Sequence, residues 1–75
     1  MDIIELTIQF LSMILSKGYE VYDTYVNGKT LTLLLGAPRS IDENCIEEEL
    51  RMFKVIHSIV FGVPVECLMF KYKYI

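Results

Sequence analysis

Residues 19–35, Tyr-Glu-Val-Tyr-Asp-Thr-Tyr-Val-Asn-Gly-Lys-Thr-Leu-Thr-Leu-Leu-Leu, decide the fold of this chain. Two runs of β-branched, aromatic and leucine residues, Tyr19–Val26 and Lys29–Leu35, flank the pair Asn27-Gly28. Asn-Gly between such runs is a strong short-range hairpin signal, because a type I′ turn needs positive φ at both central positions. A two-residue turn there sets Val26 opposite Lys29. That register gathers Tyr22, Thr24, Val26, Leu31, Leu33 and Leu35 on one face, expected to meet the helices. It leaves Tyr19, Val21, Asp23, Tyr25, Thr30, Thr32 and Leu34 on the other.

On either side of the hairpin the apolar period changes to that of a helix. Asp2 followed by Glu5 has capping-box spacing and starts a helix near residue 3. At 100° per residue Glu5, Gln9, Ser12 and Ser16 form one narrow polar stripe, and isoleucine, leucine, methionine and phenylalanine cover the rest. Gly18 can adopt the left-handed conformation that stops it. After the hairpin, Gly36-Ala37-Pro38-Arg39 breaks the strand, and Ser40 with Glu43 repeats the capping spacing. A second helix is expected from about residue 41 to Phe61, ended by Gly62 and Pro64. Its polar stripe is Asn44, Glu47, Arg51, Lys54 and Ser58. Val65–Tyr74 alternates as a third strand, with Leu68, Phe70, Tyr72 and Tyr74 inward and Cys67, Met69, Lys71 and Lys73 outward. The expected fold is α+β: a two-layer sandwich in α-β-β-α-β order. Its three-stranded sheet, the antiparallel hairpin plus the C-terminal strand, carries two helices on one face.

The chain has 75 residues, room for one domain, 1–75. So small a body buries only roughly 60% of its unfolded surface and needs help from disulfides, metal or a partner. Hydrophobic residues make up 53% and mean hydropathy is +0.41, apolar for a chain with so much surface to cover. Both helices carry a wider apolar arc than one three-stranded sheet can cover. The leading expectation is therefore a homodimeric protein-interaction module, a regulator or inhibitor of another protein, with self-association through Met52, Val55, Ile56 and Ile59.

Cys45 and Cys67 fall inside regular elements, so reduced, buried thiols are expected rather than a staple. With His57 they make no zinc set, since no C-x₂₋₄-C pair exists. Cys45 also sits among Asp42, Glu43, Glu47, Glu48 and Glu49, an unsuitable setting for a thiolate nucleophile. No catalytic residue, metal or cofactor is expected. The single His57 lies in the apolar arc of its helix as a core or interface residue. Glu49 is eight residues away, about 12 Å along a helix and too far for a direct bond. A small enzyme or ligand-binding protein centred on His57 is the third-ranked reading.

The acidic run Asp42, Glu43, Glu47 and Glu48 suits the positive end of the helix dipole and also offers a docking surface for a basic partner. The loop before it matches no phosphate-binding spacing. Tyr19, Tyr25, Lys71 and Lys73 would make an aromatic, basic sheet face able to stack single-stranded nucleic acid, the second-ranked reading. The net charge of −3 disfavours it. Residues 1–15 lack a basic n-region and a cleavage site and fall short of the ~20 apolar residues of a membrane span, so a cytoplasmic location without membrane contact is expected.

Overall fold

A computed structural model describes residues 2–75. The order is α1 (Ile3–Ser16), β1 (Glu20–Asn27), β2 (Thr30–Ala37), α2 (Glu43–Phe61), one 3-10 turn (Val65–Cys67) and β3 (Leu68–Tyr74). The sheet order is β1-β2-β3, with β1 antiparallel and β3 parallel to the central β2. Both helices lie on one face, giving the small two-layer α+β fold.

Local chemistry explains most boundaries. The Asp2 carboxylate accepts from the Glu5 amide at 2.9 Å and fixes the start of α1. Gly18, at φ +90, and Gly62, at φ +71, take the left-handed conformation just past the two helices. The start of α2 departs from expectation. Its N-cap is Asp42, which accepts from the Asn44 amide at 2.9 Å, and Ser40 plays no such part. The Ile41 amide bonds to the Pro38 carbonyl at 3.2 Å, so residues 38–41 form a turn before the helix can begin. β2 also runs through Gly36 and Ala37 instead of breaking there. Ala37 pairs with Tyr74 and accepts from the Ile75 amide at 3.0 Å, so the parallel partner prolongs the strand. β3 starts at Leu68, three residues later than expected, because the Cys67 amide turns back to the Pro64 carbonyl.

The hairpin register also differs. Gly28-Lys29 are the central residues and Asn27 faces Thr30, so Val26 lies opposite Leu31. Only Gly28 has positive φ, the type II′ pattern in place of I′. The slip is two residues, which leaves side-chain parity unchanged at the tip. A bulge at Tyr22 then changes it: Val21 pairs with Leu35 and Asp23 with Leu34, leaving Tyr22 unpaired. Tyr19 and Val21 are thereby turned inward and Tyr22 outward, the reverse of the faces expected from strict alternation. Thr24 and Val26 keep the inner side but are exposed, Val26 at 69%.

One hydrophobic cluster fills the space between the layers. Phe10 and Ile14 come from α1, Leu33 and Leu35 from β2, Ile46, Leu50 and Phe53 from α2, and Leu68 and Phe70 from β3. Tyr19 completes it at 1% exposure, its ring edge-on to Phe53 at 5.4 Å. Each such side chain removed from water contributes about 1.5–3 kcal/mol.

Candidate functional site: an outward helix stripe and a histidine-floored cleft

The 19-residue α2 buries Ile46, Leu50, Phe53 and His57 on one side. On the opposite side Cys45, Glu48, Met52, Val55 and Ile59 recur at spacings of three and four, the seam that a helix presents to another helix. Met52, Val55 and Ile59 are 39, 43 and 77% exposed. Ile56, grouped with them from the sequence, points further inward and packs partly on the core. Cys45 is exposed, not buried, and both cysteines are free. It lies on the outward side of α2, beside Glu48, Glu49, Met52 and Lys17, while its neighbour Ile46 turns into the core.

Asp42, Glu43, Glu47 and Glu48 are all exposed along the first turns of α2. Asp42 is committed to capping, and Glu43 and Glu47 lie near the aromatic hydroxyls of β3. The Tyr72 and Tyr74 pKa values are raised by desolvation and then by Glu43. The Tyr74 hydroxyl donates to the Ile41 carbonyl at 3.0 Å. Glu49 is set apart from this run. It accepts from the Tyr19 hydroxyl at 2.7 Å and pairs with Lys17 at 3.5 Å, tying together the end of α1, the start of β1 and α2. Burial, then the bond to Glu49, pushes the Tyr19 pKa well above its ordinary value.

The outer sheet face is rebuilt by the bulge. Tyr19 belongs to the core and leaves the proposed nucleic-acid set. Tyr22 takes the outer position instead, crossing Gly36 so closely that an added Cβ would lie 2.7 Å from its ring. The Lys73 ammonium stands 4.9 Å from the Tyr22 ring centre, within cation–π range. Tyr25, Lys71 and Lys73 are exposed as expected.

A feature the sequence did not announce lies between α1 and the hairpin. A cleft of about 640 Å³ is lined by Ile3, Thr7, Phe10, Leu11, Leu15, Val21, Thr24, Leu31, Leu33, His57 and Phe61. None of these is charged. His57 is 9% exposed and is packed against Phe10, Phe61 and Phe70 at centroid distances of 5.2, 4.5 and 5.9 Å. Its Nδ1 has no hydrogen-bond partner, and burial lowers its pKa below the usual imidazole value.

Among the described residues no group of three or more histidine, cysteine or acidic side chains is placed to hold a metal ion. Among the same residues no helix is long and apolar enough to cross a membrane. No protein-family model, curated protein or solved structure matches this chain.

Proposed function

We propose that the chain is a non-enzymatic, cytoplasmic, homodimeric protein-interaction module, a regulator or inhibitor of another protein, whose self-contact runs along the outward stripe of α2. The observation that carries this reading is the exposure of Met52, Val55 and Ile59 in one row of an otherwise charged helix surface. An antiparallel two-fold packing centred near Val55 brings Met52 of one copy onto Ile59 of the other, and Val55 onto its own equivalent. That is the self-complementary contact a two-fold dimer requires. Glu48 and Arg51 lie at the rim, where polar groups remain in water. Of the acidic run, Glu43 and Glu47 stay clear of this contact for a basic partner.

Ile59→Asp places a charge within that contact, opposite Met52 of the other copy, and leaves the core untouched, since Ile59 is exposed while Phe53 is buried. The variant is expected to retain its circular dichroism spectrum and to sediment as a monomer under conditions in which the unmodified chain is dimeric. Unchanged association in Ile59→Asp would remove α2 as the contact.

A second reading keeps the outer sheet face as a single-stranded nucleic-acid platform, now with Tyr22 in place of Tyr19. It is favoured by the Lys73–Tyr22 stack beside exposed Tyr25 and Lys71, and opposed by Asp23 and the acidic total. Charge reversal of Lys71 and Lys73 should then abolish fluorescence-anisotropy binding of an RNA oligonucleotide. Equal binding by the double variant disposes of it.

A further inference from the structure

We propose that the groove between α2 and the free edge of β3 binds an extended acidic segment of a partner protein, which adds to the sheet as a fourth strand. The groove is separate from the apolar cleft, and its occupation does not rest on self-association along α2.

Two independent observations carry the inference. The first is charge. Arg51 and Lys54 of α2 and Lys71 of β3 line the groove against the single carboxylate of Glu47, over Leu50, Phe70 and Tyr72. Three cations against one acid make a local charge of +2 on a chain whose net charge is −3. Among the described residues the one ion pair is Lys17–Glu49, so none of the three cations is ion-paired. The second observation is the backbone. β3 is an edge strand in the order β1-β2-β3. The Ile75 amide bonds to the Ala37 carbonyl of β2, and N–H groups alternate sides along a strand. Met69, Lys71 and Lys73 therefore turn their N–H groups to β2. Phe70 and Tyr72, which line the groove, turn theirs to the open edge, together with their carbonyls. Such an edge is a template for a further strand.

The dimensions set the length. A strand stands ~4.8 Å from its neighbour in layers ~10 Å apart, so a groove of about 550 Å³ holds about 11 Å of it, roughly three residues. Successive side chains of such a segment point to opposite faces. Acidic residues in succession therefore meet cations on both: Arg51 and Lys54 on the helix side, Lys71 on the other. The β3 of a second copy is excluded as occupant, since it brings its own Lys71 and Lys73 against these cations. The β1 of a second copy carries Glu20 and Asp23, but the bulge at Tyr22 interrupts its alternation. A lysine on an edge strand discourages pairing by itself. Arg51 and Lys54, supplied by a different element, turn that repulsion into selection for negative charge.

The test is titration of the isotope-labelled chain with the peptide acetyl-Thr-Val-Glu-Glu-Glu-Val-Thr-amide, followed by amide NMR shifts and hydrogen exchange. Saturable shifts are expected at the Phe70, Lys71 and Tyr72 amides, with new exchange protection at Phe70 and Tyr72, whose N–H groups gain partners. Affinity should fall about tenfold in Arg51→Gln/Lys54→Gln/Lys71→Gln, as for three exposed ion pairs lost together, and should weaken with added salt. The same peptide N-methylated at its three glutamates lacks the donors that pair with β3 and should not bind. The inference is overturned if the β3 amides show no saturable shift, if the triple variant binds as tightly as the unmodified chain, or if the N-methylated peptide or one with lysine for glutamate binds equally well.

Discussion

Lowering the pH from 7.0 to 5.5 should destabilise the fold through His57. Its imidazole is enclosed by Phe10 of α1, Phe61 of α2 and Phe70 of β3, and burial lowers its pKa below the ordinary imidazole value of about 6.5. The unfolded chain therefore takes up a proton near pH 6.5 while the folded chain does not. Stability from this group is fully present above the unfolded pKa and is lost as pH falls through it towards the lower folded value. If the folded imidazole stays neutral throughout the interval, the loss reaches a ceiling of about 1.2 kcal/mol at pH 5.5. For a domain of this length that is a fall of roughly 5–10 °C in Tm. The assay is urea unfolding followed by far-UV circular dichroism at both pH values, at one protein concentration so that the proposed self-association would add equally to apparent stability. His57→Leu fills a similar volume without a titrating group or an orphaned nitrogen. It should match or exceed the unmodified chain at pH 7.0 and lose most of the pH dependence. An equal slope in His57→Leu, or none in the unmodified chain, would refute the buried, neutral assignment.

Two further predictions concern the joints of the fold. Asp42→Ala should cost about 1 kcal/mol in chemical denaturation by removing the cap of α2, whereas Ser40→Ala should be neutral; the opposite ranking would move the helix start back to Ser40. Tyr19→Phe deletes the hydroxyl that bonds Glu49 and should cost about 1 kcal/mol, with Tyr19→Ala costing about 3–5 kcal/mol through loss of the ring from the core. A fully stable Tyr19→Ala would place that ring back on the outer sheet face.

The alternation of β-branched and leucine residues, the hairpin between them and the glycines after each helix were readable because each is a local signal. The inward set of β3 was readable for the same reason: Leu68, Phe70, Tyr72 and Tyr74 obey a period of two without interruption. The bulge at Tyr22 was not. A single unpaired residue leaves no mark in composition, yet it exchanged the faces of Tyr19 and Tyr22, and with them half of the predicted aromatic platform. What selects the bulge is tertiary: Tyr19 is held by Phe53 and Glu49, and Gly36 gives Tyr22 room to lie across β2 towards Lys73. The turn moved to Gly28-Lys29 for a comparable reason, since Asn27 gains a ladder partner in Thr30. The exposure of Met52, Val55 and Ile59 agrees with the 3.6 period, whereas Ile56 packs partly on the core. The cleft could not be foreseen, because it lies between residues up to 58 positions apart, Ile3 and Phe61 among them, and depends on how far α1 stands off the hairpin.

The most direct test of the account is the mass of the unmodified chain in solution, by light scattering at micromolar concentration. Association through α2 predicts a species of twice the 8.7 kDa chain that reverts to one chain in Ile59→Asp; a monomer throughout that range would contradict the self-association on which the proposed function rests.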